Sequence, residues 1–226
     1  MVQKIQNFSK DLRLKQDVIN LVKPSYVDPT SLIEREFAKN DTIYLLRDEH
    51  EQLISFFMTG DDSFDNISLT YMGLSAVKHE YKNSGLGKQV YLAQIEDSIK
   101  KQDEMKNEIW CWATTATPSA FFSVQHLWDS VSPNIEFKYS KEAFDLACKL
   151  CYRHNYEFQN DNPFVIKNVA KNTIYSEAEN QRIYDFKVRK NFHLFDQLSI
   201  VEKNGDRLLM IFKLPTKEKI EALRIK

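Results

Sequence analysis

Glycine is scarce in this chain, with five residues in 226, and so are proline with six and cysteine with three. Each glycine is therefore a position to explain. Long apolar runs are missing too. No stretch approaches the ~20 apolar residues of a membrane span, and "MVQKIQNFSKDLRLKQD" lacks the apolar segment of a secretion signal. An odd cysteine count without such a signal leads us to expect reduced thiols in a cytoplasmic protein. Charge of one sign is also absent, because 31 Lys and Arg meet 32 Asp and Glu for a net charge of −1. That balance gives no polyanion signal and argues against nucleic acid as a partner, so any basic function must be a local patch. There is no internal repeat and no low-complexity tract. What remains is a chain 42% hydrophobic and 28% charged, with mean hydropathy −0.48, long enough to bury a sizeable core.

Periodicity orders the elements. Leu12, Val18, Ile19 and Val22 predict a helix broken at Pro24. Ser31 and Glu34 have capping-box spacing, and Leu32, Ile33, Glu36 and Phe37 follow on a second helix. "TIYLLRDEHEQLISFFMTG" then reads as two strands joined at residues 48–51, and "NISLTYMGLSAV" as a third. Gly73 inside that third strand implies a bulge or a close backbone approach. A helix to about Gln102 follows, then the strand "EIWCWATTA" and the helix "TPSAFFSVQHLW", where Thr117 caps and Pro118 suits the first position. "SKEAFDLACKLCYRHNY" is another helix. "LSIVEKNGDRLLMIFKL" predicts a final hairpin turning at Asn204 and Gly205. The fold class is α/β or α+β, in layers around a mixed sheet, read as one domain over 1–226.

Two of the five glycines, Gly85 and Gly87, lie where a strand gives way to a helix, among Lys78, Lys82 and Lys88. A P-loop would need glycine at Lys82 and a hydroxyl at Gln89, which would otherwise leave magnesium short of a ligand. A dinucleotide fingerprint meets Val90 at its third glycine. From Val77 to Gly87 the segment instead resembles the acetyl-CoA loop of the GNAT acyltransferase superfamily. Its core, [Q/R]-x-x-G-x-[G/A], is matched by Lys82, Asn83, Ser84, Gly85, Leu86 and Gly87, with the usual aromatic at Tyr81 and valine at Val77. Lys82 departs from the pattern, keeping the charge of Arg without its planar bidentate geometry. The element order agrees over roughly 1–128 and 190–214, and Asn191 with Phe192 looks like the family's Gly-Phe.

That resemblance implies a mostly antiparallel mixed sheet with helices on both faces and a C-terminal hairpin, and an insertion at about 129–190. It implies acetyl-CoA as co-substrate and direct attack on it by an amine, small-molecule or protein-borne, without an acyl-enzyme. Ser75, Ala76 and Val77 would pair with the pantetheine arm. Lys82 through Lys88 would hold the pyrophosphate, and Thr117 would line the other side. The insert is expected to close over the acceptor side or to form a dimer contact. The family's tyrosine acid falls at Val124, and the usual strand glutamate is missing, which leaves Tyr71 as the nearest titratable side chain. A non-catalytic acyl-CoA sensor, or an enzyme for longer acyl chains or a macromolecular acceptor, stays open.

Other signals point to packing. Phe144, Ala147, Cys148 and Cys151 continue one apolar helical face, so the thiols beside His154 read as core rather than as zinc ligands. Cys111, between Trp110 and Trp112, reads likewise. Asp61, Asp62 and Asp65 read as a solvated loop that could also attract a cation or an amine.

Overall fold

The alternation read between residues 42 and 77 becomes a sheet, and its capped flanking helices become the layers against it. The computed structural model describes residues 1–82 and 84–225. The chain divides into two compact units, Met1–Trp110 and Cys111–Lys226. Among the described residues no helix is long and apolar enough to cross a membrane.

The first unit comprises β1 (Gln3–Gln6), α1 (Leu12–Val22), α2 (Pro29–Lys39), β2 (Thr42–Arg47), β3 (Leu53–Phe64), β4 (Ile67–Val77) and α3 (Leu86–Met105). Its strands lie in the order β1-β2-β3-β4, each pair antiparallel. Alternation sorts their side chains. Ile43, Leu45, Phe56 and Met58 join Leu14, Val18, Leu32, Ile33 and Phe37 of α1 and α2 in one buried cluster. Burying each such side chain stabilises by about 1.5–3 kcal/mol. On the opposite face Tyr44 donates to Asp97 of α3 at 3.2 Å, and Phe57 meets Tyr91 of α3 with ring centroids 4.4 Å apart. Helices therefore cover both faces of these strands, as expected.

Caps decide where the helices start. Asp11 accepts from Leu14 N–H at 2.9 Å to open α1. Helix α2 opens earlier than the capping-box reading placed it. Pro29, with no N–H to leave unpaired, takes the first position, and Asp28 accepts from Ser31 N–H at 3.1 Å. Ser31 is the cap's donor, not the cap.

The β3–β4 hairpin turns at Asp65 and Asn66, with φ of 51° and 62°, the left-handed pair of a two-residue turn. Asp61 and Asp62 consequently lie within β3, opposite Thr70 and Leu69, rather than in a loop. Further along, Phe57 pairs with Ser75 and Thr59 with Met72. Gly73 and Leu74 together oppose Met58, which is the predicted bulge.

β5 (Ile109–Thr115) crosses the division. The second unit continues with α4 (Pro118–Leu127), β6 (Asp129–Ser132), α5 (Lys141–His154), β7 (Glu157–Gln159), β8 (Asn162–Lys167), α6 (Glu177–Lys190), α7 (Leu194–Gln197), β9 (Arg207–Lys213) and α8 (Lys217–Ile225). Leu208, Leu209, Met210, Ile211 and Phe212 are all fully buried, so β9 reads as the unbroken apolar run of a strand covered on both faces. α5 buries Ala143, Leu146, Ala147, Leu150 and Cys151.

The expected final hairpin does not form. Residues 199–206 contain a short 3-10 turn, Glu202–Asn204, and no strand. β9 pairs instead with β8, Val165 opposite Leu208, and with β6, Ser132 opposite Ile211. Residues 129–190 thus supply two strands to the β9 ladder. Gly205 is left-handed as a turn glycine should be, but it packs against the backbone of Ala170 and Lys171. The competing pull is Asp206, which accepts from Lys167 Nζ at 2.8 Å, Val201 N–H at 3.1 Å and Asn168 N–H at 3.3 Å.

Candidate functional site

The end of β4, the turn after it and the start of α3 lie together in the first unit, and most of the sequence-predicted site residues fall there. Val77 opposes Ser55, Ala76 opposes Phe56 and Ser75 opposes Phe57. The Ala76 carbonyl also accepts from Ser55 Oγ at 3.2 Å, and Lys78 N–H donates to Ile54 O at 2.8 Å. Ser75 turns toward α3, its hydroxyl 2.5 Å from the Tyr91 hydroxyl, and burial pushes Tyr91 above its ordinary pKa.

A 3-10 turn, His79–Tyr81, then reverses the chain. Lys82 leaves it extended, at φ −63° and ψ 139°. Asn83, also expected in the site, lies outside the described residues. Ser84 donates its hydroxyl to Tyr81 O at 2.5 Å and accepts from Leu86 N–H at 3.4 Å. Gly85 caps α3 at φ 82°, a conformation that costs other residues about 1–2 kcal/mol. A Cβ built on it would meet nothing within 4 Å. Gly87 is the opposite case, because a Cβ there would sit 2.7 Å from Val77 Cγ2. One glycine bends the chain beside open space, and the other lets helix and strand touch.

The N-cap of α3 has no side-chain oxygen of its own, and Ser84 Oγ reaches the first helical N–H, that of Leu86, at a long 3.4 Å. Helix starts of this kind leave orphan donors and about half a positive charge. Lys88 lies in the first turn. Lys78 contributes less than the sequence suggested: its ammonium pairs with Glu80 at 2.7 Å, and that bond raises its pKa.

Glu36, which the sequence places only on a helix, and Asn40, which it does not single out, turn out to touch β4. Glu36 and Asn40 project from α2 and the residue after it onto the bulge. Asn40 Nδ2 donates to Glu36 O at 2.8 Å and to Glu36 Oε2 at 3.3 Å. A Cβ on Gly73 would collide with the Asn40 amide, its Cγ and Nδ2 each lying 2.8 Å away. Glu36 is 7% exposed and Asn40 4%. Burial raises the Glu36 carboxyl above its ordinary value, while Lys39, Arg35, Asn40 and the backbone N–H of Leu74 pull it down. The sequence did carry a signal, a glutamate inside the apolar stripe Leu32, Ile33, Phe37.

The remaining candidates separate. Tyr71 opposes Gly60 and points away from α3. Its neighbour Thr70 is on the α3 side, donating at 3.2 Å to Asp61, whose carboxylate pairs with Lys101 at 2.5 Å. Asp61, Asp62 and Lys101 line a polar cleft of about 440 Å³ at the other end of β4 from Gly85. In the second unit Thr117 occupies the N-cap of α4 but makes no side-chain cap bond. Thr115 Oγ1 accepts from Thr117 N–H at 3.0 Å instead. Val124 is buried on α4. Cys111 and Cys151 are buried and Cys148 is half-buried. Cys151 donates to Pro163 O at 3.4 Å, and burial pushes its thiol up to about 12. Among the described residues no group of three or more His, Cys, Asp or Glu is placed to hold a metal.

No protein-family model matches the sequence, and no curated protein matches it. Solved structures similar to the chain include a probable N-acyltransferase of Enterococcus faecalis, at 16% identity and TM-score 0.40, over 57% of this chain and 32% of that one. A GNAT-family N-acetyltransferase of Escherichia coli in complex with CoA gives 15%, 0.39, and 54% and 65%. The ribosomal-protein-S18-alanine N-acetyltransferase of the same organism gives 12%, 0.45, and 96% of both chains. The chain thus spans less than two thirds of the length of the first two. At such scores these likenesses carry no argument of their own. The superfamily named among them, GNAT, is the one that the segment from Val77 to Gly87 resembles.

Proposed function

We propose that the chain is an acyltransferase that binds an acyl-CoA thioester, acetyl-CoA on the resemblance, where β4 ends and α3 begins, and passes the acyl group to an amine. The observation that carries this reading is Gly85, left-handed beside open space as the N-cap of α3, one short turn after a bulged strand. A pyrophosphate would take the orphan N–H groups of α3, with Lys82 and Lys88 adding charge. The pantetheine arm would run along residues 75–77 as an added strand.

The chemistry then needs little from side chains. The amine, once deprotonated, attacks the thioester carbonyl. A backbone N–H near Val77 holds the developing oxyanion. The nitrogen of the tetrahedral adduct gives up a proton to water, the C–S bond breaks as the adduct collapses, and the thiolate leaves. A thiol pKa of about 8.5 on the cysteine scale lets water protonate that thiolate. Amine deprotonation then governs the pH profile, so kcat/KM should rise with pH along a single limb. Tyr71→Phe should lower it by less than about 100-fold, below the usual span of about 10²–10⁴ for acid–base assistance.

Val124, where the family places its acid, favours one second reading, a non-catalytic acyl-CoA sensor. Thiol release from acetyl-CoA across a panel of amines separates the two. Release with at least one amine supports the enzyme, and CoA binding without release under any of them supports the sensor. An acyl-chain-length series then fixes the donor.

A further inference from the structure

We propose that Glu36 and Asn40 are positioning residues: together they seat the bulge of β4 and so aim the backbone of residues 75–77 at the acyl thioester. This inference rests on the acyl-CoA reading above. Side chains of a regular strand alternate, and a one-residue slip moves all of them to the other face. Thr70 faces α3, since it bonds Asp61 and Asp61 bonds Lys101. Ser75 also faces α3, since it meets Tyr91. Five positions separate the two, an odd number, so an extra residue must be absorbed between them. The bulge at Gly73 and Leu74 absorbs it.

A bulge leaves a residue outside the ladder, and something must hold it there. On one side the Asn40 amide abuts Gly73 and leaves no room for a Cβ. On the other, the same amide donates to Glu36 Oε2 at 3.3 Å, and the Leu74 N–H is among the groups that pull the Glu36 carboxyl down. Asn40 ties the two contacts together through its bonds to Glu36 O and Oε2. Neither residue needs to touch a substrate. Removing their hold lets residues 75–77 drift in register, and the groups expected to meet pantetheine and the thioester carbonyl then point elsewhere.

The test compares Glu36→Gln, Glu36→Leu, Gly73→Ala and the pair Gly73→Ala/Asn40→Ala with the unmutated protein. Calorimetry with CoA and acetyl-CoA is the first readout, and amide hydrogen exchange at residues 74–77 the second. Glu36→Leu should weaken acetyl-CoA binding by about tenfold or more and speed exchange similarly, the size expected when a buried donor loses its acceptor. Glu36→Gln, which keeps a carbonyl oxygen to accept from the Asn40 amide, should recover binding to within about threefold. Gly73→Ala should behave like Glu36→Leu, and trimming Asn40 in the pair should restore part of the loss. If Glu36→Leu does not fold, the Gly73→Ala pair decides on the same readouts. Leu and Gln variants that bind alike, or a Gly73→Ala variant unchanged in both readouts, would overturn the positioning role while leaving the acyl-CoA reading standing. An unmutated protein that binds neither thioester nor CoA overturns the acyl-CoA reading and this inference with it.

Discussion

At Gly85 the φ of +82° excludes a β-branched replacement on backbone grounds alone, so Gly85→Val would mix strain with ligand occlusion. Asn tolerates the left-handed region and separates them. Gly85→Asn is expected to fold with stability within about 1 kcal/mol of the unmutated protein, and Gly85→Ala to lose about 1–2 kcal/mol, both read by denaturant titration. Gly85→Asn should still weaken CoA binding, because its side chain occupies the open space. Equal CoA affinity in the Asn variant would place the pyrophosphate elsewhere. Glu36 offers a second test at this scale. Its folded pKa lies above the ordinary 4.5, so between those values the folded chain keeps a proton the unfolded chain has released. That contribution to stability is complete below 4.5 and lost as pH rises through the folded value. Glu36→Gln should therefore gain stability relative to the unmutated protein as pH rises above the ordinary 4.5. A flat or reversed difference in paired titrations contradicts the raised pKa.

Among the elements, β2, β3, β4, α3, α4 and α5 were legible because each carries an apolar period over most of its length. The last hairpin was not. Asn204 and Gly205 form the stronger dipeptide signal, yet the two-residue turns form at Asp65 with Asn66 and at Asn160 with Asp161, where φ is 48° and 56°. Asn and Asp tolerate that region less obviously than glycine, so the sequence ranks those turns too low. The choice at Gly205 is tertiary, made by Asp206. Burial alone would push that carboxyl up, but Lys167 and the N–H groups of Val201 and Asn168 outweigh it and hold it below 3.8. Its contribution is present above 3.8 and lost as pH falls through the lower folded value. Asp206→Asn should cost about 1–3 kcal/mol near neutrality, and the difference should shrink in acid. A difference independent of pH would mean that the charge is not what holds β8 and β9.

For the whole molecule, a net charge of −1 leaves recognition of an anionic ligand to local groups, which on the proposed function are the start of α3 with Lys82 and Lys88. The strand-to-helix turn that holds Gly85 and Gly87 was readable because a strand period stops before the glycines and a helix period starts on them. The clamp on Gly73 was not, because Glu36 and Asn40 lie more than thirty positions away and only the folded α2 brings them to β4. The most direct test of the central claim is an isothermal titration of the unmutated protein with CoA and acetyl-CoA, repeated with Gly85→Asn. A single site with a dissociation constant on the order of 1 μM–1 mM, the span of ordinary enzyme–substrate affinities, weakened sharply in the variant, is the predicted result. No heat of binding with either ligand, in protein shown to be folded, would contradict it.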